Sequence, residues 1–107
     1  MGTEPNEGPR PKIHPEVRRE HVVKLAAAAN DTGDLKSYLI CPDGEMSARI
    51  SESRSGHTTE VTAILHDGLQ LFAWTTDHGT IGSVEDIAGT LGAVRHRLVM
   101  RDSTCRP

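Results

Sequence analysis

The sequence predicts a single two-layer α+β domain in which a helix, a four-stranded antiparallel sheet and a second helix follow one another along the chain. Three observations predict it. Two turn sequences, Pro42–Gly44 and the pair Asp67 and Gly68, each separate two runs of β-strand composition. Apolar residues at helical spacing occur before the first hairpin and again after the second. The length of 107 residues, 36% of them hydrophobic, suffices for one modest core.

The two ends of the chain differ in composition from its middle. Residues 1–13 are rich in Pro, Glu, Gly and charged side chains and offer almost nothing to bury, which is typical of disordered segments. We therefore expect a disordered N-terminal arm over residues 1–13, a folded domain over 14–100 and a flexible C-terminal tail over 101–107.

The first helix is predicted to begin at Pro15 and to end at Ala29. Proline fits the first helical turn, where a backbone N–H would have no partner, and the turn-forming residues 30–33 end the helix. One side of the helix carries apolar residues at three- and four-residue spacing: Val22, Leu25, Ala26 and Ala29. This narrow, alanine-rich stripe predicts a close approach between the helix and the sheet.

The first hairpin is predicted to turn over Pro42–Gly44. Pro42 fixes φ for a type I turn, and Gly44 can adopt the left-handed bulge that completes a three-residue loop, so Cys41 should face Glu45. Pairing outward from that position places alternate residues on one face: Tyr38, Ile40, Met46, Ala48 and Ile50. The residues expected on the other face are Ser37, Leu39, Ser47 and Arg49.

The second hairpin has a two-residue turn, in which Asp67 and Gly68 provide the positive φ angles of a type I′ turn. His66 should then face Leu69. This register places apolar residues of both strands on a core face: Val61, Ala63, Leu65, Phe72 and Trp74. The opposite face is apolar near the turn and polar at its far end.

The second helix is predicted to follow Ser83, which forms a capping box with Asp86. Residues 79–83, immediately before it, are expected to form a turn that carries this cap. Apolar residues then recur at helical spacing: Val84, Ile87, Ala88, Leu91, Val94 and Leu98. Arg95 and Arg97 meet the negative end of the helix dipole, which supports a helix end beyond them.

If both helices cover the core face, the outer face of the sheet stays open. Four apolar residues are expected to line up there: Leu39, Ile64, Leu69 and Leu71. Such a patch on a small protein is typical of a partner-binding surface; the alternatives are scattered surface leucines, or a loop or arm that folds over them. We expect a small non-enzymatic protein-interaction module, an adaptor, inhibitor or chaperone-like protein, that binds a protein partner or a second copy of itself.

The alternative function is binding of nucleic acid by the last helix. Arg95, Arg97 and Arg101 gather at its end and can contact phosphates; the other explanation for them is dipole complementation on a solvated face. The net charge of −3 and the sequence pI of about 6.0 are unlike those of a globally basic nucleic-acid binder. With 3% aromatic residues, we expect no stacking platform for single strands.

No motif indicates catalysis, a metal site or a cofactor. The chain lacks Gly-x-Ser-x-Gly, His-Glu-x-x-His and Cys-x-x-Cys patterns, and His66 and Asp67 should face opposite sides of the sheet rather than form a dyad. The register places His57 opposite His78, where two imidazoles could bind zinc or copper, but a stable site needs a third or fourth ligand. We expect no enzyme activity, no metal and no cofactor.

The sequence also bears on location. No apolar run approaches the roughly 20 residues of a membrane span, so we expect no membrane association. The chain has two cysteines, Cys41 beside a turn and Cys105 in the expected tail, so we expect no disulfide framework. A cytoplasmic protein with reduced thiols is therefore expected.

Overall fold

The computed structural model describes residues 13–77 and 79–104 of the chain. In this part the elements follow in the order α1 (Pro15–Asp31), β1 (Leu35–Ile40), β2 (Ser47–Glu52), β3 (Thr58–His66), β4 (Leu69–Trp74), β5 (Thr80–Ser83) and α2 (Ile87–Thr104), with a 3₁₀ turn at Pro42–Gly44. The strands form one antiparallel sheet in the order β1-β2-β3-β4-β5. The predicted α+β fold is confirmed, with five strands rather than four.

Both helices pack on the same face of the sheet, which we call the inner face. α1 contacts β1, β2 and β3, and α2 contacts β2, β3 and β5. Side chains of both helices and of the inner face form one buried core: Val22, Leu25, Ala29, Leu35, Ala48, Ile50, Val61, Ala63, Phe72, Leu91, Val94 and Leu98. Burial of a large side chain such as Phe72 contributes about 1.5–3 kcal/mol. The opposite face, the outer face, carries no helix in the described part of the chain.

The first helix forms much as predicted. Its N-terminal cap is His14, whose Nδ1 accepts a hydrogen bond from the Glu16 N–H at 3.1 Å. At the other end the Thr32 hydroxyl donates to the Ala29 carbonyl at 2.8 Å, and the helix extends two residues beyond the predicted end, to Asp31. The predicted apolar stripe is buried: Val22, Leu25, Ala26 and Ala29.

The β3–β4 hairpin has the predicted register. Asp67 and Gly68 have φ angles of 51° and 79°, as a type I′ turn requires, and His66 faces Leu69. Pairing continues in step to Val61 and Trp74. The local chemistry of two turn residues thus determines which face each side chain of this hairpin occupies.

The predicted register of the β1–β2 hairpin is wrong by one residue. Ile40 pairs with Ser47 and Leu39 with Ala48, so the loop comprises residues 41–46 rather than three residues. Gly44 has the expected positive φ, 82°. The loop is longer because Met46 leaves the ladder: its side chain packs against the core and its carbonyl accepts a hydrogen bond from the Thr62 hydroxyl at 2.8 Å.

This shift exchanges the two faces of β1. Leu39 now lies opposite the buried Ala48 on the inner face, and Tyr38 lies opposite Arg49 on the outer face. Ile40, expected on the core face, also lies on the outer face because side chains alternate along a strand. Of the four residues expected to line the outer face, Leu39 is therefore misplaced.

The segment predicted as a turn before the second helix is strand β5. Leu71 pairs with Ser83 and Phe72 with Gly82, and the ladder is irregular between Phe72 and Ala73. Because this pairing keeps residues 80–83 extended, the helix begins later than predicted, at Ile87.

The predicted capping box of the second helix is wrong as well. Asp86 is itself the cap, since its carboxylate accepts from the Gly89 N–H at 3.0 Å and its carbonyl accepts from the Thr90 N–H at 3.1 Å. Ser83 instead accepts a hydrogen bond from the Glu85 N–H at 3.1 Å. The end of β5 and the start of α2 are thus two separate local structures.

The described residues reach slightly beyond the expected folded domain at both ends. Ile13, assigned to the arm, is 5% exposed and belongs to the core. Helix α2 continues to Thr104, so the backbone of residues 101–104 is helical. The rest of the expected arm and tail, residues 1–12 and 105–107, lies outside the described part. Among the described helices, neither has the length and apolarity to cross a bilayer.

Replacing Gly68 and Gly92 by alanine should change the free energy of unfolding in opposite directions. Gly68 has φ +79°, where an alanine side chain costs about 1–2 kcal/mol. Gly92 lies in α2 with open space where a Cβ would stand, so alanine should stabilise the protein by about 0.5–1 kcal/mol. Urea unfolding measures both values. Shifts of the same sign would contradict either the type I′ turn or the helix.

Candidate functional site

The register arranges the outer face in rows of side chains that run across the strands. One row consists of Tyr38, Arg49 and Glu60, from β1, β2 and β3. The next row contains Ile40 opposite Ser47 and Thr62 opposite Ala73. A third row pairs Ile64 with Leu71, and the row nearest the β3–β4 turn pairs His66 with Leu69.

The polar row is held by the Arg49 guanidinium. Its Nη2 and Nε donate to Glu60 Oε2 at 2.8 and 3.1 Å, and its Nη1 donates to the Tyr38 hydroxyl at 3.3 Å. Arg49 also lies 5.8 Å from the centre of the Tyr38 ring. The hydrogen bonds to Tyr38 and Glu60 raise the pKa of Arg49 above its ordinary value. These contacts hold three side chains of different strands in one arrangement.

The centre of the outer face consists of small side chains. Ser47 and Ala73 are 0% exposed and Thr62 is 5% exposed. Within the described part of the chain the Ser47 hydroxyl has no hydrogen-bond partner, whereas the Thr62 hydroxyl donates to the Met46 carbonyl. Any molecule that approaches this face therefore meets the two flanking rows first.

Two exposed and three half-buried apolar residues of the outer face form a patch that differs from the expected one. Leu69 and Tyr38 are 61% and 53% exposed, the largest values among the described hydrophobic residues of this face. The residues Tyr38, Ile40, Ile64, Leu69 and Leu71, which we call the outer-face patch, share the face by register. Leu39 is 40% exposed because β1 is an edge strand, but it lies on the inner face and therefore does not belong to the patch.

The arginines of the last helix bind carboxylates within the chain. Arg95 forms a two-point ion pair with Asp34, Nε to Oδ2 at 2.8 Å and Nη2 to Oδ1 at 3.2 Å. These bonds hold the pKa of the Asp34 carboxyl well below its usual range. The pair joins α2 to the loop between α1 and β1, and it occupies a guanidinium that was expected to contact phosphate.

Arg97 also forms an ion pair with a carboxylate of the same chain. Its Nη2 donates to Asp77 Oδ2 at 2.9 Å, and its guanidinium carbon lies 4.2 Å from the centre of the Trp74 ring. The hydrogen bonds from Arg97 and from the Gly79 N–H lower the pKa of Asp77. Arg101, the third expected phosphate contact, belongs to α2, but its side chain is outside the described part.

The histidines do not assemble into a site among the described residues. His57 is described and His78 is not, so their expected proximity stays a prediction. His66 Nε2 does lie 3.5 Å from Asp67 Oδ2, contrary to expectation, because Asp67 sits in the left-handed turn rather than in the strand. Both side chains are largely exposed. No group of three or more His, Cys, Asp or Glu residues that could hold a metal ion occurs in residues 13–77 and 79–104.

Comparison with known proteins adds no information about this surface. No family model, no curated protein and no solved structure matches the chain. The geometry of the outer face and of the arginine pairs is therefore the basis for a functional proposal.

Stability should depend on pH through the Asp34–Arg95 pair. Because pairing lowers the pKa of Asp34 in the folded state, its stabilisation is complete above about pH 4, the ordinary pKa of aspartate, and is lost as the pH falls further. The stability advantage of the wild type over Asp34→Asn should thus shrink below about pH 4. The side chains are 41% and 46% exposed, so solvent screening keeps this effect small.

Urea unfolding across this pH range measures the effect. Arg95→Gln removes the other partner of the pair, so the difference in unfolding free energy between wild type and Arg95→Gln should also decrease below about pH 4. A stability difference that stays constant between neutral and acidic pH would show that the ion pair does not contribute.

Proposed function

We propose that this chain is a small non-enzymatic protein-interaction module that binds another protein through the outer-face patch. The observation that carries the proposal is the exposure of Leu69 and Tyr38, 61% and 53%, on a sheet face without a helix in the described residues. Exposed apolar side chains gathered on one face favour association, because contact removes their surface from water. Adaptors, inhibitors and chaperone-like proteins all use surfaces of this kind.

The side chains of the patch indicate what kind of protein surface it can bind. Tyrosine and arginine are enriched in protein interfaces, where an apolar centre is surrounded by polar groups. Leu69 and Leu71 provide the apolar part, and Tyr38 with the Arg49–Glu60 pair provides the polar margin. We infer a partner with an apolar protein surface and, along one side, groups that hydrogen-bond to Tyr38 and Arg49.

The nucleic-acid alternative has weaker support. Arg95 and Arg97 bind Asp34 and Asp77, so a phosphate would compete with carboxylates that are already in place. The chain carries a formal net charge of −3, which does not attract a polyanion. Nucleic acid is therefore retained as an outcome of the experiment that follows rather than as a second proposal.

Replacing Leu69 by glutamate should abolish partner binding without unfolding the protein, because a side chain that is 61% exposed contributes little to the core. Val99→Glu is the matched control, since Val99 is similarly exposed, 56%, but lies on α2. Tagged wild type and both variants are incubated with native lysate, with and without nuclease. Circular dichroism establishes that each variant is folded.

The proposal predicts that the wild type and Val99→Glu retain the same protein from the lysate. Leu69→Glu should retain at least about tenfold less of it. Nuclease treatment should not release it. If the partner is a second copy of the chain, light scattering on the purified wild type should give twice the monomer mass. Leu69→Glu should then give the monomer mass. Equal retention by Leu69→Glu, or release by nuclease, would overturn the proposal.

A further inference from the structure

Strand β1 lies at one edge of the sheet, with β2 as its neighbour. An edge strand presents unpaired backbone N–H and C=O groups to which the strand of another molecule can add. Whether an edge is available depends on which groups point outward and on what already binds them.

The hydrogen-bond pattern identifies the outward groups of β1. The Ser53 N–H donates to the Asp34 carbonyl at 2.9 Å, one position beyond the Leu35–Glu52 pair. Since hydrogen-bonded and non-bonded pairs alternate in an antiparallel ladder, the backbone groups of Leu35, Ser37 and Leu39 point away from β2.

Asn30 at the end of α1 and Thr32, the residue that caps it, bind three of these six outward groups. The Ser37 N–H donates to Asn30 Oδ1 at 2.8 Å, and Asn30 Nδ2 donates to the Ser37 carbonyl at 3.3 Å. The Leu35 N–H donates to the Thr32 hydroxyl at 3.3 Å. The Asn30 amide thus binds the same donor and acceptor that a neighbouring strand would bind.

We propose that Asn30 keeps the β1 edge closed, and that the strand it excludes is β1 of a second copy of this chain. Antiparallel pairing of two β1 strands about a twofold axis at Ser37 would place Leu39 beside Leu35 and Tyr38 beside Lys36 of the second copy. Tyr38 is 53% exposed, and its ring would gain a cation, Lys36 of the second copy, as its neighbour. Leu39 is 40% exposed and would gain less, because Leu35 is buried in its own core, 1% exposed. The contact is self-complementary, as a symmetric dimer requires.

The proposal concerns the edge of the sheet and does not depend on binding through the outer-face patch. Asn30 is exposed, so its side chain stands at the surface where an added strand would arrive. Removing the side chain frees both backbone groups of Ser37 without changing the pairing between β1 and β2. The wild-type edge should therefore be inert, and the edge of a variant without this amide should associate.

Asn30→Ala tests the proposal. All variants carry Leu69→Glu as well, so that association through the outer face does not interfere. Light scattering over a range of concentrations should show a mass that rises toward twofold in Asn30→Ala and stays monomeric with Asn30 present. Asp31→Ala is the matched control, because Asp31 is the adjacent exposed residue of α1. Asn30→Ser, whose hydroxyl is too short to bind both groups of Ser37, should associate as Asn30→Ala does.

A second substitution shows that association uses this edge. Leu39→Pro, added to Asn30→Ala, removes an outward N–H while leaving the bonds to β2 in place, and it should restore the monomer. Hydrogen exchange of the Ser37 amide in the dilute Asn30→Ala monomer should be faster by up to about tenfold, the effect of one lost hydrogen bond. Folded Asn30→Ala and Asn30→Ser proteins that stay monomeric, or a dimer that persists with Leu39→Pro, would overturn the proposal.

Discussion

The number of residues in each turn determines which side chains face the helices, and every surface of this protein follows from that constraint. Side chains alternate along a strand, so a loop that is longer or shorter by one residue exchanges the two faces of a strand. The two-residue turn at Asp67 and Gly68 places Phe72 in the core, and the six-residue loop between Ile40 and Ser47 places Tyr38 on the outer face. Packing energy then fixes the arrangement, since the opposite alternation would expose the core residues.

The sheet consequently has three kinds of surface. The inner face is covered by both helices, and the β1 edge is bound by Asn30 and Thr32 from the end of α1. The outer face has no such cover among the described residues and carries the exposed Leu69. One helix therefore supplies both the core packing of the sheet and the hydrogen bonds that occupy its edge. The exposed residues of the outer face are the basis of the proposed association with another molecule.

Local chemistry was sufficient to predict part of this structure. Asp67 and Gly68 specify their turn by backbone preference alone, so the β3–β4 register and the placement of Leu69 and Leu71 on the outer face follow from the sequence. The position of Leu39 does not, because the length of its loop depends on the hydrogen bond between Met46 and Thr62 of β3, a contact outside the hairpin. Strand β5 was missed for the same reason, since four residues with one glycine become a strand only through pairing with β4. The Tyr38 row becomes visible only once the β1–β2 register is known.

The most direct test of this account is the β1–β2 register, measured by nuclear Overhauser contacts between backbone Hα protons. In non-hydrogen-bonded antiparallel pairs the Cα atoms lie about 4.5 Å apart, which brings the Hα protons together. The structure predicts such contacts between Ser37 and Ile50 and between Leu39 and Ala48. Contacts between Tyr38 and Ala48 would instead place Tyr38 on the inner face, and would contradict its assignment to the outer-face patch.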